Sequence, residues 1–148
     1  MIHENAPHAE PVAIIGIGCR FPGAKGPQAF WRLLADGVDA ITEVPPSRFD
    51  INAFYGPTPG AAGKISSRFG GFIADVENFD AAFFGISPRE AEAMDPQQRI
   101  LIEIAYEALE DAGLPPDREG MSGTGVFLGM MSDDYLRYTY RSADLDLT

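Results

Sequence analysis

Four short stretches of this 148-residue chain could do chemistry. "VAIIGIGCRFPG", residues 12–23, places Gly16 and Gly18 after an apolar run, as a dinucleotide-binding turn would. Such a turn needs a third glycine three positions on, where a helix packs against the strand and offers its N-terminus to pyrophosphate. Phe21 stands there instead, Pro22 and Gly23 turn the chain away, and no acidic residue ends a second strand about 20 residues later. "GAAGKIS" resembles a phosphate loop, but Thr58 occupies the position of its first glycine, and Ile65 that of its magnesium-binding hydroxyl. Tyr135 and Tyr138 have no lysine after them for a redox pair, since the lysines are Lys25 and Lys64, so packing or surface contact is their expected role.

Cys19, the single cysteine, would need an adjacent base to act as a nucleophile. The two histidines, His3 and His8, lie in a polar lead-in, so Cys19 reads as a small buried residue at a strand end. Metal binding needs several converging ligands, and Asp133 with Asp134 reads as a solvated turn or helix start. No catalytic, cofactor-binding or metal-binding residue is assigned from these patterns.

Acidic residues outnumber basic ones 22 to 11, so the field of the chain repels phosphates and anionic head groups, which excludes nucleic acid and membrane surfaces as expected partners. A cytoplasmic location is expected: no apolar run is long enough to span a bilayer, and the start lacks the pattern of a secretion signal.

The elements that would hold these residues follow from periodicity and punctuation. Residues 1–9 form the expected flexible lead-in, and order is expected to begin near Pro11. Residues 12–17 and 125–131, "GVFLGMM", are short apolar runs of the kind that form strands buried on both faces of a parallel sheet. A helix is expected from Pro27 to a stop at Gly37, with Phe30 and Trp31 in the core. Residues 42–71 carry Pro45, Pro46, Pro57, Pro59 and five glycines without periodicity, which marks a functional or interface-forming excursion. Two helix starts follow: Ser87, Pro88 and Glu90, then Asp95, Pro96 and Gln98. The second opens a helix with Leu101, Ile104, Ala105, Ala108 and Ala112 on one stripe and an Arg99–Glu103 pair, closed by Gly113 and Pro115–Pro116. Its acidic run, Glu103, Glu107, Glu110 and Asp111, reads as a solvated face, although acids near a helix C-terminus invite a basic neighbour from elsewhere.

In this order and spacing, "EPVAIIGIGCRFPG", "FWRLLADGVDAITEVPPSRFD", "GGFIADVENFDAAFFGISPREAEAMDPQQRILIEIAYEALEDAG" and "GTGVFLGMMSDDY" resemble the start of the β-ketoacyl synthase domain of a modular type I polyketide synthase. The resemblance runs from about Glu10 to Tyr135 and is most specific over 83–99. It implies an α/β thiolase-like fold, of which residues 10–148 would supply the first part, with incomplete α/β/α layers. It also implies a homodimeric whole domain, acyl substrates carried on the phosphopantetheine of an acyl carrier protein, and decarboxylative condensation with a malonyl-type extender. That chemistry needs a cysteine in a "TACSS"-type turn and two later histidines. None of these motifs occurs here, and Cys19 does not match the nucleophile. The chain is therefore expected to be inactive alone and to need the remainder of the domain as its partner. Residue by residue, only Arg89 in "SPREAEAMDP" matches a region where relatives present basic residues to the carrier protein; Glu92 departs from that basic pattern. Arg89 stands as a possible carrier contact beside its plainer reading as a surface arginine. Two classes of function follow: a segment of a condensing acyltransferase, or a non-catalytic module that pairs with a larger synthase through an exposed sheet edge.

Overall fold

The computed structural model describes residues 11–114, 123–132 and 134–141. The lead-in with His3 and His8, the Pro115–Pro116 stop and Asp133 lie outside the described residues. The described strands are short: β1 (Arg20–Phe21), β2 (Ala24–Lys25), β3 (Ile41–Glu43) and β4 (Phe69–Gly71). The helices are α1 (Pro27–Ala35), α2 (Ile51–Phe54), α3 (Pro88–Ala93), α4 (Pro96–Asp111) and α5 (Asp134–Arg141).

Helices α1, α3 and α4 form where the punctuation placed them, whereas α2 lies inside the excursion that showed no periodicity. Pro27 starts α1, and Gly37, at φ 62°, ends it; Gly37 N–H donates to the Leu34 carbonyl and Val38 N–H to that of Leu33, which satisfies two carbonyls of the last turn. Ser87 caps α3 by accepting from Glu90 N–H at 3.2 Å. Asp95 accepts from Gln97 N–H at 2.8 Å while the Gln98 side chain accepts from Asp95 N–H at 3.3 Å, so a reciprocal capping box opens α4. Gly113, at φ 67°, closes it, with Gly113 N–H on the Glu110 carbonyl and Leu114 N–H on that of Leu109. Both ends of α4 are thus satisfied by groups a few residues away.

The expected strands at 12–17 and 125–131 do not form. Neither segment belongs to a β-ladder, and Val12 is 95% exposed, Phe127 95% and Met131 98%. A strand apolar on both faces gains stability only from neighbouring strands and from covering layers, and no described residue supplies a pairing partner. What sheet exists among the described residues is antiparallel: β1 pairs with β2 around Pro22 and Gly23, and β3 pairs with β4. Pro22 fixes its own φ and Gly23 takes φ 72°, the combination that a two-residue reversal of this hand requires.

The β3–β4 ladder ties the neck of the proline-rich excursion, with Val44 N–H extending it to the Arg68 carbonyl. Inside the loop, α2 is capped by Asp50, and Ile65 bridges Tyr55. Arg68 binds the whole: Nε donates to Glu43 at 2.7 Å, Nη1 to Asn52 at 3.0 Å, and the guanidinium lies 5.1 Å from the Tyr55 ring centre. The buried apolar residues among those described are Ala24, Val44, Ile51 and Ala91, a thin core. Phe30 stacks on Phe21 with ring centres 4.0 Å apart, but Trp31, expected inside, is 69% exposed because no described layer covers that face of α1. Phe83, Phe84 and Tyr106 make edge-on contacts that fix residues 79–84 against α4.

Because local groups cap α4, Asp95→Ala is expected to lower the unfolding free energy by about 1 kcal/mol, read as an earlier urea midpoint with an unchanged slope.

Candidate functional site

The region richest in charged contacts lies where residues 16–21 cross α4. A Cβ at Gly16 would stand 2.1 Å from the Ala108 carbonyl oxygen, and one at Gly18 would stand 2.3 Å from that of Ile104. The glycines therefore let the backbone rest directly on the helix, and any side chain would push the two apart. Ala108, Ala112 and Ile104 of the expected stripe receive this segment, whereas Ala105 is exposed.

Hydrogen bonds reinforce the contact. Ile17 N–H donates to Asp111 Oδ2 at 2.9 Å. The Arg20 guanidinium donates through both terminal nitrogens to the two oxygens of Glu107, and Glu103 lies 3.8 Å from Nη2. The Arg20 side chain is 9% exposed, so the pair is shielded on the arginine side. Glu103, Glu107 and Asp111, expected to be solvated, are occupied; the basic neighbour that the acidic run invited is Arg20. Glu103 faces Arg20 and not Arg99, whose Nε is buried without a hydrogen-bond partner among the described residues. The hydrogen bond from Arg20 holds the Glu107 carboxyl below the ordinary carboxylate value, and the same bond raises the arginine.

Cys19 is half-buried, its carbonyl accepting from Gly26 N–H at 3.1 Å. No histidine stands among the described residues. A groove of about 540 Å³ runs beside the crossing, bordered by Arg20, Phe21, Lys25, Asp75, Asn78 and Glu103. Lys64, the lysine of the apparent phosphate loop, donates to the Ala53 carbonyl at 3.2 Å and so serves the loop's own structure. Arg89 sits in the first turn of α3, which buries Ala91 and leaves Arg89, Glu90 and Glu92 exposed. The Tyr135 hydroxyl donates to the Glu92 carbonyl at 2.6 Å, a surface contact, one of the two roles expected of it. The structure does not bring Arg89 together with the Arg20 cluster in any described contact. Sequence reasoning did not assign Arg20; the signal for it was the acidic run of α4, which invited a basic neighbour from elsewhere.

No described helix is long and apolar enough to cross a membrane, and among the described residues no group of three or more His, Cys, Asp or Glu side chains is placed to hold a metal ion. The class is given by solved structures. The fold is similar to the oxazolomycin ketosynthase domain OzmH KS7 of Streptomyces albus JA3453, at 44% identity and a TM-score of 0.63 over 66% of this chain and 17% of that one. It is also similar to the ketosynthase from module 6 of the bacillaene synthase of Bacillus subtilis 168, at 40% identity and a TM-score of 0.63 over 68% and 17%. The fold is thus the thiolase-like one of ketosynthases, matched over part of their length. The chain belongs to the β-ketoacyl synthase family, whose N-terminal domain matches residues 9–147.

Among longer relatives, a phenolphthiocerol/phthiocerol polyketide synthase of Mycobacterium bovis is 59% identical over 139 residues, which is 93% of this chain and 8% of the relative. Polyketide synthase GfsA of Streptomyces halstedii is 48% identical over 91% of this chain and 2% of its own length.

A carboxylate held below its ordinary value of 4.5 stabilises the fold above that pH and ceases to as pH falls through the lowered value. The urea midpoint is therefore expected to fall as pH is lowered below 4.5, with Glu107→Gln removing part of that fall; an equal pH dependence in both chains would refute the assignment to Glu107.

Proposed function

We propose that this chain is a segment of a condensing acyltransferase, and that it contributes scaffold, not reacting groups. The carrying observation is the match of residues 9–147 to the synthase N-terminal domain, in a sequence that lacks the nucleophile turn and the two later histidines. In the complete domain, a cysteine thiolate takes the acyl group from a phosphopantetheine thioester and releases the free thiol. The malonyl-type extender then loses carbon dioxide, and its enolate attacks the acyl thioester and expels the cysteine thiolate. Residues 10–148 supply elements around that centre; the remainder of the domain supplies the cysteine, the histidines and, by the family pattern, the homodimer contact.

The test is co-expression of this chain with the remainder of a ketosynthase domain from a close relative, followed by mass spectrometry after incubation with an acyl-loaded carrier protein. Acylation of the nucleophile cysteine in the complex, with none on this chain alone, is the expected result. A stable complex that is never acylated would favour the interaction-module reading, which draws on the exposed apolar segments at 12–17 and 125–131. Acylation of the isolated chain at Cys19 would overturn both.

For carrier docking we propose Arg89, exposed on α3 beside Glu90 and Glu92. In the complemented domain Arg89→Glu is expected to raise the carrier dissociation constant roughly threefold to tenfold at low salt. An unchanged constant would assign Arg89 to the ordinary surface.

A further inference from the structure

We infer that residues 16–20 are a latch that fixes the direction of the N-terminal segment on α4 ahead of the β1–β2 ladder, which begins at Arg20, and that Arg20 is its positioning residue. Three kinds of contact, spaced along one face of the helix, carry this. Gly18 rests on Ile104, Gly16 rests on Ala108 and Ala112, and Ile17 N–H reaches Asp111, so the segment runs opposite to the helix. Arg20 then reaches Glu107 and Glu103 and closes the latch beyond the second glycine. The steric and ionic parts depend on each other. Close approach brings the arginine within reach of the acidic face, and the ion pair holds the backbone at a distance only glycine permits.

Among the described residues, no strand pairs with residues 12–18; the β1–β2 ladder begins at Arg20, with Gly26 N–H on the Cys19 carbonyl. The segment's apolar side chains are exposed, from Val12 at 95% to Ile17 at 51%. The helix beneath it is closed at both ends by its own caps and gripped by Phe83 and Phe84 through Tyr106. The chain that leaves α4 at Gly113 has returned to its first turn by Ser132, whose carbonyl accepts from Gln97 Nε2 at 3.3 Å. The helix therefore seats the first apolar segment and touches the chain just past the second, and the latch presents the edge of the first in a set direction.

The test is residue-resolved amide hydrogen exchange on the intact chain, with Arg20→Met removing the ionic part and Gly16→Ala the steric part. In the unaltered chain, Ile17 is expected to exchange at least tenfold more slowly than Ile14 after correction for intrinsic rates, roughly the effect of one local restraint. Each variant is expected to erase that difference while amides within α4, such as Ile104 and Ala108, keep their protection. Reversing the charges together, Arg20→Glu with Glu107→Arg, is expected to restore part of it. Ile17 exchanging as fast as Ile14 in the unaltered chain, or protection that survives either single variant, would overturn the inference. So would loss of α4 protection alongside that of Ile17, which would make helix and latch one cooperative unit, or no recovery in the charge-reversed pair.

Discussion

The close approach of the Gly16 and Gly18 backbone to α4 is the constraint on which the described architecture depends. At 2.1 Å from a Cβ position to the Ala108 carbonyl, no other residue fits at Gly16. Because the backbone lies that near, Ile17 N–H finds Asp111, and Arg20 finds a carboxylate it can grip through two nitrogens. The β1–β2 turn starts at Arg20, so the clamp also sets where Pro22 and Gly23 reverse the chain and how Phe21 meets Phe30 on α1. A glycine pair that looks like a nucleotide turn serves here to seat a segment on a helix.

The molecule divides by the range of the forces that make its parts. Helices closed by groups a few residues away are complete: α1 and α4 satisfy their terminal carbonyls through Gly37 and Gly113, and α4 opens with its own capping box. The proline-rich excursion is complete as well, since Arg68 ties Glu43, Asn52 and Tyr55 into one unit. Apolar segments that depend on distant strands are not, and they leave Val126, Phe127 and Met131 open to solvent. This agrees with a chain that matches 17% of the length of a solved ketosynthase.

Charge has a bearing on the proposed function. The chain carries a net charge of −11, so its overall field opposes an acidic partner, and the carrier docking proposed above would rest on a local basic feature. Arg20 and Arg68 are committed to internal carboxylates. Arg89, at the start of α3, is exposed and is the residue proposed above for that role. Three of the four acidic residues of the α4 run, Glu103, Glu107 and Asp111, are likewise engaged in internal contacts with Arg20 and the Ile17 amide.

By itself the sequence determined the family, the helix starts at Pro27, Ser87 and Asp95, the stops at Gly37 and Gly113, and the reversal at Pro22–Gly23. These are short-range features: a cap, a missing N–H or a positive φ acts within a turn and can be read from adjacent letters. The structure alone decided the fate of the two apolar runs, the exposure of Trp31 and the exclusion of Ala105 from the packed face of α4. It also decided that Arg20, 87 residues from Glu107 along the chain, would hold that acidic face. Burial and ion pairing depend on which surfaces meet across the fold. Periodicity states that a residue wants a partner, and only the path of the chain supplies one.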